Sequence, residues 1–296
     1  MRCLVLPGLV ACAAAPLDDG DTDVADPTDA FAWAPGEVAT CLGDAACQRI
    51  LVVAHRGFHR DVPENTLASV TAAADLGVQL AEVDVRVTSD GALVVLHDPT
   101  VDRTTDGSGE VEALTLAEVE ALTVAGGTDA ASSRVPTFDA VLAEAVARGL
   151  GLYVDTKTSR VDLVVDAIVA AGAEDLAVVY KGWPDVAPAV EAGLRVIVPI
   201  DTLGDLATAR GDLPDTAFVE IDGAVADPVQ GAAVQAVGLR VQQDVFLGDG
   251  PWVTVGSSEG WAPYLAAGVQ MAQAEHPDGL LAALRAGELP GRVQRP

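Results

Sequence analysis

"RILVVAHRGFHRDVPENTLASV", residues 49–70, sets an apolar run against an abrupt change of character. Ile50-Leu51-Val52-Val53 reads as a buried strand, and the chain from about Glu64 reads as the start of a helix. Between them the run stops on His55-Arg56-Gly57, in a chain with only four histidines. A doubly wound open sheet would place a glycine-rich phosphate loop after its first strand, and this chain has none there. Moving outward, Val- and Leu-rich runs recur at 50–54, 79–87, 151–155, 176–180, 194–200, 217–221, 238–242 and 269–272. Helix-like stretches such as "VDLVVDAIVAAG" lie between them. Eight strands alternating with helices predict a (β/α)8 TIM barrel over residues 49–296, a fold of about 250 residues in one piece. One segment breaks the rhythm. About fifty residues separate the second strand from a helix near 137, and they include an "SDG" turn and the extra extended piece "ALVVLHD". They predict a small insertion after strand 2.

Half of the 296 residues are hydrophobic and mean hydropathy is +0.32, so a large core is easily built. No stretch after residue 15 approaches the roughly 18 apolar residues of a membrane span. The formal charge of −27 excludes a basic footprint for nucleic acid and repels an anionic membrane surface. A small-molecule partner and a monomer are expected. The cations are scarce, and the two lysines, Lys157 and Lys181, each lie just past an apolar run.

Residues 1–15, "MRCLVLPGLVACAAA", carry one positive charge, a short apolar stretch and the box Leu9-Val10-Ala11-Cys12. They read as a bacterial lipoprotein signal with Cys12 lipidated, the alternative being a secretory signal cleaved among Ala13, Ala14 and Ala15. Both imply export to the cell envelope, periplasm or outer surface, with membrane contact only through the anchor. Residues 16–48 read as an acidic tether closing on "CLGDAAC", where Cys41 and Cys47 are expected to form a short disulfide loop.

The second strand, "LAEVDVRV", spaces Glu82 and Asp84 by one residue, so both project to one face. Facing inward, they would repel each other unless something positive lies between them. A divalent cation with oxygen ligands, Mg²⁺ or Ca²⁺, meets that need. Asp155, at the end of the run "LYVDTK", supplies a third carboxylate, and Lys157 shares its face. Lys157 and Arg56 are candidate phosphate contacts, the second with a bidentate fork. His55 and His97 both end apolar runs, and histidine suits proton transfer near neutral pH. His59 and His276 lack such company and read as bystanders.

"HRGFHRDVPENTLASV…GVQLAEVDVRVTSDGALVVLHDPTVDRTTDGSG" resembles the glycerophosphodiester phosphodiesterase family, specifically over about residues 50–157 and more loosely to 286. The resemblance implies a (β/α)8 barrel that hydrolyses glycerophosphodiesters to an alcohol and glycerol phosphate with one divalent cation. It implies that His55 and His97 are the acid and base, that Glu82, Asp84 and Asp155 bind metal, and that Arg56 and Lys157 contact phosphate. Glu64 and Asn65 would hold the PENT turn that supports them. Three departures stand out: Asp155 where Glu is common, Ala274-Glu275-His276-Pro277 for T-D-x-P, and "VQQDV" at 241–245 for an aromatic W-T-x-N. The first also fits a phospholipase D acting on sphingomyelin or lysophospholipid. A third reading is a non-catalytic surface binding barrel.

Overall fold

The computed structural model describes Phe31, residues 33–221 and residues 227–289. The expected signal segment, with Cys12, lies outside the described residues. Nine strands form the sheet: β1 (Leu51–Ala54), β2 (Leu80–Val87), β3 (Leu93–Val95), β4 (Gly151–Thr156), β5 (Ala177–Tyr180), β6 (Arg195–Ile200), β7 (Phe218–Ile221), β8 (Arg240–Asp244) and β9 (Met271–Ala274). Around the ring the order is β1-β9-β8-β7-β6-β5-β4-β2, and β2 pairs β1 to close it. All eight ring pairings are parallel, so this is a TIM barrel. Among the described residues no helix is long and apolar enough to cross a membrane.

Alternation along each strand separates two cores. Leu51, Val53, Leu80, Tyr153, Val178, Ile197, Phe218 and Met271 fill the barrel interior. Val52, Val83, Val85, Val154, Val179, Val219 and Val241 face outward and pack with Val70, Phe138, Val164 and Leu280 of the surrounding helices. Because side-chain direction has a period of two, Glu82 and Asp84 follow Leu80 inward, and Asp155 follows Tyr153. Strand β3 is the inserted piece. It runs antiparallel to β2 and seats its own small core of Val94, Leu96, Val101, Val111, Val119, Val124 and Val135.

The base of the barrel is closed by a segment that the sequence reading assigns to the tether. Glu37–Gly43 is a helix, and its Cys41 and Leu42 are buried in the interior core. Cys41 and Cys47 are joined by a disulfide. The driving force is apolar burial at an open barrel end, and a composition dominated by acidic residues hides it. Arg240, 1 % exposed, holds the plug: its guanidinium donates to the carbonyls of Cys41 (2.7 Å), Leu42 (2.7 Å) and Thr216 (2.6 Å) and lies 3.8 Å from the Phe218 ring centroid. Arg240→Met removes the donors to Leu42 and Thr216 and leaves the Cys41 carbonyl only the Asp44 N–H, so unfolding free energy should fall by about 2–4 kcal/mol. A denaturation midpoint equal to wild type would show that the plug is held by apolar contact alone.

Candidate active site

The C-terminal ends of β2 and β4 bring three carboxylates together. Asp84 and Asp155 are direct partners in the parallel register. Glu82, Asp84 and Asp155 offer ligand oxygens that all lie within 4.8 Å of one another. Glu82 and Asp84 are only 2 % and 1 % exposed, and Asp155 is half-buried. Lys157 Nζ donates to Asp155 Oδ2 at 2.6 Å and lies 3.2 Å from Asp84 Oδ1. Burial, then the charges of Asp84 and Asp155, raise the pKa of Glu82 well above the ordinary carboxylate range. Burial likewise raises Asp155. For Lys157 burial works the other way, but Asp155 and Asp84 outweigh it and its pKa rises. The Lys157 ammonium and the Arg56 guanidinium, whose Nε lies 3.8 Å from Asp84 Oδ2 and which also pairs with Glu64, still leave three acids in a dry place with an excess of negative charge. An all-oxygen donor set without sulfur or imidazole suits a hard divalent cation, so the residues fit the expected ion.

The loop after β1 is shaped to serve this cluster. Arg56 and Asn65 both adopt left-handed backbone, each with φ of 54°, a cost that native structures accept mainly at functional sites. The conformation turns the Arg56 N–H onto Glu82 Oε2 at 2.6 Å. Asn65 donates through Nδ2 to Asp84 Oδ2 at 2.7 Å and accepts from the Asp84 N–H at 3.2 Å. Gly57, at φ 74°, lies so close to the following helix that a Cβ would sit 2.7 Å from the Ser69 carbonyl carbon. Only glycine fits there, which explains the third letter of the HRG motif.

Both candidate proton-transfer groups are fixed through Nδ1. His97 Nδ1 lies 2.7 Å from Asp98 Oδ1, and Asp98 Oδ2 accepts from Arg103 at 2.6 Å. Arg103 also donates to both Glu64 oxygens, at 3.0 and 2.7 Å, and Glu64 accepts from Arg56 at 2.9 Å. A continuous chain of charges therefore ties the inserted segment to the β1 loop. Arg103 and His97 hold the Asp98 carboxyl far below its ordinary range. Arg86 adds a clamp, donating twice to the His97 carbonyl at 3.0 and 2.6 Å.

His55 Nδ1 lies 2.6 Å from Glu275 Oε1, its Nε2 lies 4.0 Å from Glu82 Oε2, and its ring sits 4.8 Å from that of Phe246. His59 is no bystander. Its Nε2 is 3.1 Å from the other Glu275 oxygen. Burial opposes the Glu275 charge, but His55 and His59 outweigh it and hold the carboxyl far below its ordinary range. His55, His59 and Glu275 also lie within ligand distance of one another. His276 contributes a backbone N–H to Asp249. Glu275, Asp98, Arg103 and Arg86 are the site residues that sequence reasoning passed over. Asp98 and Arg103 lie inside the quoted "HDPTVDRTT" motif and were within its reach, whereas nothing local marks Glu275 as the partner of a residue 220 positions away.

His55, His97, Arg56, Lys157, Glu82, Asp84, Asp155, Glu64 and Asn65 thus gather at one end of the barrel. A parallel barrel with buried acids, two anchored imidazoles and two cations at the C-terminal strand ends is an enzyme-type TIM barrel with a candidate metal centre. Residues 55–185 match the glycerophosphoryl diester phosphodiesterase family. The chain is 48 % identical over 92 residues to a glycerophosphodiester phosphodiesterase of Caldanaerobacter subterraneus, covering 30 % of this chain and 38 % of that protein. It is 41 % identical over 113 residues to glycerophosphodiester phosphodiesterase 1 of Homo sapiens, covering 37 % of this chain and 34 % of that one. The matched segments span little more than a third of these relatives. In fold the chain is similar to a phosphodiesterase of Oleispira antarctica in complex with the product sn-glycerol-3-phosphate (TM-score 0.64, 22 % identity, 80 % of this chain and 97 % of that). A putative glycerophosphoryl diester phosphodiesterase of Silicibacter pomeroyi is similar too (TM-score 0.69, 18 % identity, 84 % and 98 %).

The raised Glu82 pKa has a measurable sign. A carboxyl raised on folding stabilises the fold below its ordinary value of 4.5, and that contribution disappears as pH climbs through the raised value. Chelated wild type should therefore lose thermal stability relative to Glu82→Gln as pH rises above that ordinary value. Saturating Mg²⁺ or Ca²⁺ should raise the wild-type midpoint more at higher pH, by about 2.7 kcal/mol at a hundredfold excess over Kd. Equal shifts at low and high pH would mean that the ion binds elsewhere.

Proposed function

We propose that the chain is a divalent-cation-dependent glycerophosphodiesterase that releases glycerol phosphate and an alcohol. The observation that carries this reading is the pair of imidazoles, each tethered at Nδ1 by a carboxylate beside the acidic triad. With Nδ1 engaged, each ring has Nε2 left for substrate, as acid–base groups require. Glu82, Asp84 and Asp155 would hold the cation, which supplies charge neutralisation at the phosphoryl oxygens. Arg56 and Lys157 supply further positive charge to the same oxygens. Lys157 now leans on Asp155 and Asp84, and would turn to phosphate once those carboxylates are engaged by the ion.

In the hydrolysis one imidazole takes a proton from the nucleophile as the new P–O bond forms; the nucleophile is water, or the glycerol 2-hydroxyl, in which case water then opens the cyclic phosphate to glycerol phosphate. The other gives a proton to the departing alkoxide as the old P–O bond breaks, so charge never accumulates on the leaving oxygen. Glu275 and Asp98 keep the rings aimed and stabilise whichever becomes imidazolium.

Export with a lipid on Cys12 is part of the proposal. It is supported by the Leu9-Val10-Ala11-Cys12 box and by the Cys41–Cys47 disulfide, since disulfides persist in oxidising compartments.

Purified protein with Mg²⁺ or Ca²⁺ should release glycerol 3-phosphate from a panel of glycerophosphodiesters and leave sphingomyelin and lysophosphatidylcholine intact. Chelation should abolish the release, and His97→Ala should lower turnover by a factor of about 10²–10⁴. Glycerol phosphate appearing at an undiminished rate from His97→Ala would remove the proposed acid–base pair. Cleavage confined to sphingomyelin or lysophosphatidylcholine would move the chain to the phospholipase D reading.

A further inference from the structure

Across the barrel from the acidic triad stands a second polar wall that the phosphate chemistry leaves unused. In the ring order β7 and β8 lie opposite β2 and β4. Glu220 on β7 accepts from the Tyr180 hydroxyl at 2.6 Å and pairs in register with Gln242 on β8. Asp244 Oδ1 accepts from Gln242 Nε2 at 3.2 Å and from Gln273 Nε2 at 2.8 Å. Gln242 and Asp244 follow the alternation that turns Val241 outward, and Gln273 follows the inward Met271, so all three project into the barrel. Gln242 is fully buried and Gln273 is 5 % exposed, yet the side-chain carbonyl oxygen of each has no hydrogen-bond partner among the described residues. Both amides turn their NH₂ groups to one carboxylate oxygen, which fixes their orientation, because the flipped amide would set oxygen against oxygen. A buried acceptor without a donor costs about 1–3 kcal/mol, so two of them beside a half-buried carboxylate point to a ligand that brings donors.

We propose that this wall binds the alcohol half of the diester and selects a primary ammonium group, as in an ethanolamine-type headgroup. The proposal rests on the phosphodiesterase reading and names the substrate class of that same site. Stoichiometry favours it. A primary ammonium has three N–H donors, and the wall carries two unpartnered amide oxygens, of Gln242 and Gln273, on the residues that flank the Asp244 carboxylate. A neutral alcohol arm brings no charge to the carboxylates. A trimethylammonium group brings charge but no donor, and the described wall supplies amides where an aromatic cage would suit such a cation. Electrostatics agree: burial, then Glu220, push the Asp244 carboxyl up to about 7, and a bound cation relieves that. The wall also coincides with "VQQDV", where the family's aromatic motif is missing, so the departure has a physical content.

The test compares three diesters of sn-glycerol 3-phosphate, carrying ethanolamine, its neutral isostere propanol, and choline. Wild type should favour the ethanolamine diester over the propanol diester in kcat/KM by about 10- to 100-fold, the range of a charge-assisted hydrogen bond. Choline should rank below ethanolamine. Asp244→Asn should lower the ethanolamine-to-propanol ratio at least about tenfold. Calorimetric binding to the Ca²⁺-loaded His97→Ala protein should show the same order in Kd. That readout needs no turnover, so an inactive wild type that still discriminates would sink the catalytic reading and keep the subsite. No preference in Kd, a choline diester that equals or exceeds ethanolamine, or a ratio unchanged by Asp244→Asn would overturn the proposal.

Discussion

Like charges forced together in a dry place are the constraint on which this structure turns. The parallel register sets Asp84 beside Asp155, the strand period puts Glu82 one layer below, and all three look into the barrel. Nothing in a hydrophobic core stabilises that arrangement, so the surroundings must. Lys157 stands between two of the acids, the Arg56 N–H caps the third, and Asn65 grips Asp84 from both sides. The left-handed backbone at Arg56 and Asn65 is the local cost of delivering those donors. A divalent cation would complete the balance, and a phosphodiester is the anion that such a cation, with Lys157 and Arg56, would draw in.

The imidazoles are organised by the same logic at longer range. His55 and His97 reach the site from different elements, one following β1 and the other following β3 in the insertion. Each is locked by a carboxylate that is itself locked: Glu275 by His59, Asp98 by Arg103. The Arg103–Glu64–Arg56 chain makes the insertion part of the barrel mouth instead of an appendage. Below, the Arg240 plug closes the other end, so one molecule has a sealed base and a reactive rim.

What could be read from the sequence is what period and motif encode. Val83 and Val85 outward with Glu82 and Asp84 inward follows from alternation alone, and the strand at 80–87 falls where its residues predict. The ends of β8 and β9 fall about two residues later than expected, because Gln243-Asp244 and Gln273-Ala274 still pair in the ladder. Contacts between distant segments could not be read. Glu275 meets His55 across almost the whole chain, and Arg240 meets Cys41 across the barrel axis. The helix at 37–43 was hidden by its acidic neighbours, since composition reports solvation and not the two apolar residues that fill a hole. Glu220 and Asp244 were unremarkable until the fold placed them on one wall.

The central claim is that Glu82, Asp84 and Asp155 hold a divalent cation against which the phosphate group binds. Mn²⁺ in place of the native ion makes this directly measurable, because a paramagnetic centre a few ångströms from phosphorus broadens its ³¹P resonance. Glycerol 3-phosphate added to Mn²⁺-loaded protein should show strong ³¹P broadening with one ion per chain, and Asp155→Ala should abolish it while circular dichroism stays native. Broadening that persists undiminished in Asp155→Ala, or glycerol 3-phosphate bound without broadening, would contradict the account.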